Sequence, residues 1–157
     1  MNMMTGAKAA IPALEALGPG VWRRSVPIRF SHCDPAGIVY FAKYFDIANG
    51  VVEDWFAAAL HLLYHDFIGA RRTGLGFVNV TCDFVRPGMM GDEVIFAVMV
   101  EGVGTAAIRL VIDAYREGEV VLAMRLVMAT TSLLVHRAIP VPDDLRDAIE
   151  TYKENCR

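Results

Sequence analysis

One stretch in the first half of the chain has the periodicity of an amphipathic helix. Between positions 44 and 62, apolar residues recur at intervals of three and four, which places them on one helical face: Tyr44, Ile47, Ala48, Val51, Trp55, Ala58, Ala59 and Leu62. Charged residues such as Asp46 and Glu53 occupy the opposite face. Gly50 lies inside the pattern and favours a close backbone approach to a sheet or ligand at that point. The pattern predicts one long helix with one buried face.

Apolar runs on both sides of this helix predict strands. The first covers 21–30, where Pro27 indicates the edge of a sheet. After a glycine-containing loop at 69–76, four further runs follow, at about 77–85, 93–103, 105–116 and 119–134. The turns between them are short enough for antiparallel hairpins.

The end of the chain and the order of the elements complete the predicted fold. A last helix is expected over 142–153, because Asp143 and Asp144 in its first turn suit the helix dipole. A strand, one long helix and an antiparallel meander form an α+β domain in which a five-stranded sheet covers the helix. We expect residues 1–20 to be a loosely attached N-terminal leader and residues 21–157 to be the single domain.

Composition restricts the class of protein. With 157 residues, a formal net charge of −3 and 55% hydrophobic residues, the chain can repay the entropy of ordering, which excludes intrinsic disorder. The most apolar stretch, 120–135, is interrupted by Arg125 and is too short for a membrane span. No basic stripe exists for nucleic acid. The apolar excess indicates a subunit interface or an apolar ligand.

The cysteines and the N-terminus indicate the compartment. Cys33, Cys82 and Cys156 are odd in number and lack the spacing of a zinc site. Lys8 and Pro12 interrupt the apolar run that a signal peptide would need. Reduced thiols in the cytoplasm are therefore expected.

A turn-forming segment leads directly into the predicted long helix, and it carries the most specific motif of the chain. Its sequence over 30–45 is FSHCDPAGIVYFAKYF. This block resembles the signature loop of the 4-hydroxybenzoyl-CoA thioesterase family. The resemblance implies the hotdog fold, in which a curled antiparallel sheet wraps around one long helix, and the predicted order of elements agrees with it over about residues 21–135.

The resemblance also implies that Asp34 is the catalytic carboxylate, acting as nucleophile or as general base for water. It places the thioester carbonyl over the N-terminus of the following helix. The first amides of a helix lack internal partners and carry partial positive charge, so they can stabilise an oxygen that gains negative charge. We take the N–H of Phe41, or of a neighbouring residue, as the candidate donor, and Gly37 as the residue that permits a close approach. An aspartate in an isolated Asp-Pro pair is more often a turn residue, but the complete block favours the catalytic role for Asp34.

The sequence departs from the family pattern two positions before Asp34. The family commonly has another aspartate there, whereas this chain has His32. An imidazole at this point could assist proton transfer or pair with Asp34, or it could be a solvated loop residue. The neighbouring Cys33 lacks the partners that a thiol nucleophile needs.

Other titratable residues fit structural roles. Related hotdog thioesterases use a glutamate on the helix, but Glu53 lies on the polar face, where solvation is the simpler interpretation. His61 and His65 are four residues apart on one side of the helix, yet no third ligand accompanies them. We therefore expect no metal.

Several residues are candidates for contact with the substrate. Tyr40 and Tyr44 begin the long helix and could contact an acyl group, although core packing is the commoner role of such aromatics. Asn79 and Thr81 are polar positions on one face of an apolar strand, and they could line the acyl pocket or face solvent.

A CoA ligand requires cations for its phosphates. The 4-hydroxybenzoyl enzyme carries a basic run in its central hairpin, whereas the corresponding turn here has no cation before Arg109. We take Arg71, Arg72 and Arg86 as candidate substitutes, with surface solvation as the alternative.

Together these features predict an acyl-CoA thioesterase that releases a free acid, with an aromatic or short-chain acyl group and with coenzyme A as part of the substrate and no separate cofactor. The resemblance implies a homodimer with a continuous sheet, and often a homotetramer. Two alternatives stay open. One is a thioesterase for acyl groups on an acidic carrier protein, which Arg71 and Arg72 would contact, and the other is a non-catalytic hotdog protein that binds an acyl or aromatic ligand.

Overall fold

A curled antiparallel sheet and one long helix dominate the computed structural model, which describes residues 10–157. The strands and helices, in chain order, are β1 (Arg23–Pro27), α1 (Phe41–Trp55), α2 (Tyr64–Ile68), β2 (Thr73–Phe84), β3 (Glu93–Val103), β4 (Ala107–Arg116), β5 (Glu119–Ser132), β6 (Arg137–Ala138) and α3 (Asp143–Asn155). The sheet order is β1-β3-β4-β5-β2, and the short β6 pairs with the end of β5. The predicted hotdog architecture is confirmed.

Two predicted strand boundaries were wrong. β1 ends at Pro27, and the chain turns into a short 3-10 helix at Phe30–His32 instead of continuing as a strand to position 30. β2 begins at Thr73, four residues before the predicted start, because its first residues pair with the end of β5. The glycines of this segment indicated a loop, but pairing with a distant strand determines its conformation.

The apolar face of α1 is buried as predicted. Ile47, Ala48, Val51 and Trp55 belong to the main core, between the helix and one face of the sheet. The helix is shorter than predicted, since after Trp55 the chain forms a π-helical turn over Phe56–Leu60. The expectation of a close approach at Gly50 was wrong, because no described atom outside its own stretch of helix lies within 4 Å of where its Cβ would be.

A second, smaller apolar cluster covers the other face of the sheet. Ala97 and Tyr115 of β3 and β4 pack there with Val21, and Leu14 and Leu17 lie against them. The Tyr115 hydroxyl also donates a hydrogen bond of 2.8 Å to the Pro12 carbonyl. Residues 12–21 therefore contact the sheet closely. The leader proposed for 1–20 stays a prediction, and residues 1–9 of it lie outside the described residues.

The last helix, α3, agrees with its prediction within two residues. Leu145, Ile149 and Tyr152 form its buried face, and the Tyr152 hydroxyl accepts a hydrogen bond of 2.9 Å from the Trp22 N–H. Over residues 10–157, no helix is long and apolar enough to cross a membrane.

Candidate active site

The segment between the 3-10 helix and α1 forms a tight turn around Asp34. One oxygen of its carboxylate, Oδ1, accepts a hydrogen bond of 2.8 Å from the Ala36 N–H. The Gly37 N–H donates to the Asp34 carbonyl at 2.9 Å, and the Asp34 N–H donates to the Ile38 carbonyl at 3.0 Å. Gly37 has a φ of 75°, a left-handed conformation that glycine adopts at little cost. The other carboxylate oxygen, Oδ2, has no hydrogen-bond partner within residues 10–157.

A second loop, between β2 and β3, holds this turn in place. The Val39 N–H donates to the Gly88 carbonyl at 2.9 Å, and the Met90 N–H donates to the Gly37 carbonyl at 3.0 Å. Because these bonds join two backbones, they fix the path of the chain between Asp34 and the helix.

The N-terminus of α1 follows directly, and its first amides are unpaired. The Tyr40 N–H donates to the His32 carbonyl, and the Lys43 N–H donates to the Tyr40 carbonyl. The N–H groups of Phe41 and Ala42 have no acceptor within the described part of the chain. These two donors, together with the helix dipole, can interact with an oxygen that carries negative charge.

An apolar cleft of about 310 Å³ lies between the two loops and the start of α1. Its walls are formed by residues from both sides: Ile38, Val39, Phe41, Tyr44, Phe84, Val85, Arg86, Pro87 and Gly88. Asp34 is not part of the wall, but Ile38 and Val39 of the same turn are. The segment 84–88 was missed as a wall of the site, because its sequence indicated only a turn.

Tyr44 closes the cleft from the helix side. It is 3% exposed, and its hydroxyl has no hydrogen-bond partner among the described residues. Burial raises the pKa of Tyr44 and outweighs the opposing influence of the nearby Gly88 amide. The phenol therefore stays protonated at neutral pH. A Cβ at position 88 would be 2.2 Å from the Tyr44 hydroxyl oxygen, so only glycine leaves room for it.

His32 is held by its own backbone turn. Its Nδ1 accepts a hydrogen bond of 3.0 Å from the Arg29 N–H, which leaves the proton of the neutral ring on Nε2. Burial lowers the pKa of His32, and the charges of Arg29 and Lys43 lower it further, so the ring is neutral at pH 7. No ion pair joins it to Asp34 among residues 10–157. Its part in proton transfer stays a prediction.

The other predicted substrate contacts, Tyr40, Asn79 and Thr81, do not line the cleft. Tyr40 is exposed and packs against the Phe41 ring at 5.0 Å between centroids. Asn79 and Thr81 are exposed on β2 and alternate with Cys82, whose side chain packs against the core. They share one face of the strand, as predicted, and neither lines the cleft of the same chain.

Of the three candidate cations, the structure brings one to the cleft. Arg86 lines it, with its Nε 3.4 Å from a carboxylate oxygen of Glu119. Arg71 instead makes two hydrogen bonds of 2.8 Å to Asp144 of α3. Arg72 is exposed and donates to the Ile68 carbonyl at 3.4 Å.

The remaining candidates are dispersed. His61 has a left-handed conformation after the π-helical turn and His65 lies in α2, so the expectation that they share one side of one helix was wrong. No group of three metal-ligating side chains occurs within the described range. Glu53 is exposed on α1, and the Cys33 thiol donates to the Arg29 carbonyl at 3.4 Å.

Comparison with known proteins relates this arrangement to a family. The protein-family model described as "Thioesterase-like superfamily" matches residues 28–149 of this chain. The 1,4-dihydroxy-2-naphthoyl-CoA hydrolase of Nostoc punctiforme is 25% identical over 130 residues, which cover 83% of this chain and 84% of that protein.

Solved structures show the same fold. A 1,4-dihydroxy-2-naphthoyl-CoA thioesterase from Synechocystis superposes with a TM-score of 0.76 at 18% identity, covering 82% of this chain and 95% of the other. A Staphylococcus aureus protein in complex with CoA gives a TM-score of 0.79 at 13% identity, over 96% and 90% of the two chains. Because the family model spans most of the domain, the resemblance found in the Asp34 loop is confirmed, and the chain belongs to the thioesterase-like superfamily.

Proposed function

We propose that this protein is an acyl-CoA thioesterase that hydrolyses an aromatic acyl-CoA to the free acid and CoA. One observation carries the proposal. The Asp34 carboxylate, with one oxygen free, and the free amides of Phe41 and Ala42 at the start of α1 lie in one short segment next to an apolar cleft. Membership of the thioesterase-like superfamily supports the same reaction.

The chemistry follows from these groups. The thioester carbonyl oxygen lies over the start of α1, where the Phe41 N–H stabilises the negative charge that develops during attack. Asp34 either attacks the carbonyl carbon through Oδ2, giving an anhydride that water then hydrolyses, or removes a proton from the attacking water. In both cases the C–S bond breaks, CoA leaves as the thiolate and takes up a proton, and one water is consumed. Gly37 keeps the turn tight enough for this approach.

The shape of the cleft supports an aromatic acyl group. Phe41, Tyr44 and Phe84 line it with rings that can pack against a planar group, and the Tyr44 and Phe84 centroids are 6.0 Å apart. The Nostoc punctiforme relative is named for a dihydroxynaphthoyl substrate, which is also aromatic. Short-chain acyl groups would leave much of the apolar wall unfilled.

Coenzyme A is the proposed carrier of the acyl group, and the Staphylococcus aureus structure in complex with CoA supports this. Arg86 is the candidate contact for a CoA phosphate, because it lines the cleft and its present partner, Glu119, is exposed. Arg71 would have to leave Asp144 to serve in this way. Arg72 is exposed and remains a further candidate.

We also propose a homodimer that pairs two chains along β2, with a homotetramer as its further assembly. β2 ends the order of the sheet, and its backbone edge is open in the described part of a single chain. On this strand Val78 is 66% exposed and Phe84 is 49% exposed, and Val85, which directly follows the strand, is 47% exposed. An apolar edge strand of this kind is a liability unless a second strand covers it.

The test is a panel of thioesters with wild type and the Asp34→Asn variant, following thiol release. The panel contains aromatic and short-chain acyl-CoAs and the same acyl groups on an acyl carrier protein. Release from aromatic acyl-CoAs by wild type alone is expected. Faster release from the carrier protein would favour the carrier thioesterase, and no release from any substrate would favour a binding protein. The Glu53→Gln variant, which changes an exposed carboxylate on α1, is the matched control and should behave as wild type.

A further inference from the structure

The loop between β2 and β3 contains an ion pair that the proposed reaction does not use. Arg116, the last residue of β4, lies with its Nη1 2.8 Å from Oδ2 of Asp92, just before β3. The same Nη1 is 3.4 Å from the Pro87 carbonyl. Asp92 Oδ2 also accepts a hydrogen bond of 2.8 Å from the Met89 N–H. The carboxylate therefore joins the end of β4 to the backbone of the loop.

This ion pair is more than a solvated surface contact. About a quarter of each side chain is exposed, at 25% for Arg116 and 22% for Asp92. Burial opposes ionisation of Asp92, but the hydrogen bonds from Arg116 and Met89 outweigh it and hold the pKa of Asp92 below its usual value. Charge-assisted hydrogen bonds of this length are stronger than neutral ones.

The backbone held by this pair is the one that holds the Asp34 turn. Gly88 and Met90, on either side of Met89, make the two hydrogen bonds to Val39 and Gly37. A continuous chain of contacts of 2.8–3.0 Å therefore runs from Arg116 through Asp92 and the loop backbone to the catalytic turn. None of these residues touches the Asp34 carboxylate.

Positioning of this kind matters for a group that must meet a carbonyl carbon. Catalytic groups need to be held within about 0.5 Å of the productive geometry. A displacement of about 1 Å, even one caused at a distance, can reduce the rate by about 10²-fold. Within residues 10–157, the loop is joined to the Asp34 turn by two backbone hydrogen bonds, and Ile28 makes two more to the loop at Gly91 and Asp92. A shift of the loop at Gly88 or Met90 is therefore transmitted directly to the turn.

We propose that Asp92 and Arg116 are positioning residues that fix the 86–92 loop and, through it, the Asp34 turn for catalysis. The inference rests on the proposed function. It assigns the pair no contact with substrate. It predicts that loss of the pair lowers kcat while leaving the affinity for substrate nearly unchanged, because the cleft walls remain.

The experiment uses Asp92→Asn, Arg116→Gln and the double variant in the full-length protein. Glu93→Gln is the matched control, since it changes the adjacent carboxylate, whose partner is the Ser25 hydroxyl and not the loop. We expect kcat for the aromatic acyl-CoA to fall about 10- to 100-fold in each single variant, with KM within about 3-fold of wild type. The double variant should lose no more than the poorer single variant, because both changes break the same link.

A readout independent of activity is amide hydrogen exchange at Val39 and Met90. Exchange at these two amides should accelerate at least about 10-fold in Asp92→Asn relative to amides of β4 and β5, and should not change in Glu93→Gln. Should Asp92→Asn fail to fold, Arg116→Lys, which keeps the charge but not the double contact, takes its place with the same expectations.

The two proposals fail in different ways. If wild type hydrolyses the substrate and Asp92→Asn has the same kcat, the positioning role is overturned and the proposed function stands. The same holds if Glu93→Gln lowers kcat as much as Asp92→Asn does. Absence of any thiol release by wild type overturns the proposed function. In that case the exchange rates at Val39 and Met90 still decide whether the pair holds the turn.

Discussion

Replacement of Gly88 by alanine tests how tightly the wall of the cleft is packed against α1. A Cβ at position 88 would lie 2.2 Å from the Tyr44 hydroxyl oxygen, 3.2 Å from Cγ2 of Val39 and 3.4 Å from Cζ of Tyr44. Ordinary contact begins at about 3.4 Å, so the methyl group and the hydroxyl overlap by about 1.2 Å. Tyr44 cannot rotate away easily, because it is buried and its ring is held on α1.

The size of the effect follows from this overlap. Inserting a methyl group into a packed site costs about 1–3 kcal/mol. In a domain of this length each kcal/mol lowers the melting temperature by about 2–4 °C, so a cost of about 2 kcal/mol corresponds to about 4–8 °C. Tyr44→Phe removes the overlapping atom and a buried hydroxyl without a partner, so this change alone should be neutral or stabilising by up to about 1 kcal/mol.

The assay is thermal unfolding of the two single variants and of the double variant. The double variant should recover most of the loss, because the nearest remaining contacts, at 3.2 and 3.4 Å, are close to ordinary packing distances. The reasoning would be refuted by Gly88→Ala melting with wild type, or by Gly88→Ala and Tyr44→Phe having purely additive effects.

Three other outcomes follow from the structure. The pKa of His32 is lowered in the folded state, so the neutral ring contributes to stability above about pH 6.5, and this contribution is lost as the pH falls. His32→Asn keeps an acceptor for the Arg29 N–H and should reduce the fall in melting temperature between pH 7 and pH 5. The same fall in melting temperature in His32→Asn as in wild type would contradict this. Asp113 is 2% exposed, and burial raises its pKa against the opposing charge of Arg125, so burial penalises the ionised carboxylate. Asp113→Asn should therefore raise the melting temperature at pH 7 by about 2–4 °C, with a smaller gain as the pH falls. A lower melting temperature would argue against the reasoning. Lysines in place of Val78 and Val80 should convert a dimer to monomers in sedimentation velocity, whereas a dimer that survives both lysines would place the interface elsewhere.

Local patterns in the sequence were sufficient for most of the fold. The buried face of α1 repeats at helical spacing from Tyr44 to Trp55, and β3, β4 and β5 are joined by short turns, so each pairing depends on neighbouring residues. The loop around Asp34 could also be predicted from the sequence, since its turn residues and the start of α1 are contiguous.

Contacts between segments that are distant in the sequence could not be predicted in the same way. Arg71 and Asp144 are 73 positions apart, and nothing local to either residue indicates that they pair. The need for glycine at position 88 arises from the hydroxyl of Tyr44, which lies on α1, far from Gly88 in the sequence. A glycine within a helix indicated a close approach at Gly50, yet open space lies there.

The end of α1 illustrates a third limit. Helical periodicity continues past Trp55, but the chain widens into a π-helical turn that ends at His61, which has a φ of 56°. The four-residue spacing of His61 and His65 therefore never becomes one face of one helix.

The central claim is that Asp34 performs thioester hydrolysis, and the steady-state rate of thiol release from an aromatic acyl-CoA tests it most directly. Asp34→Asn keeps an oxygen to accept the hydrogen bond from the Ala36 N–H, so its melting temperature should stay near that of wild type while kcat falls by about 10³-fold or more. A folded Asp34→Asn protein that hydrolyses the substrate within about 10-fold of the wild-type rate would contradict the account.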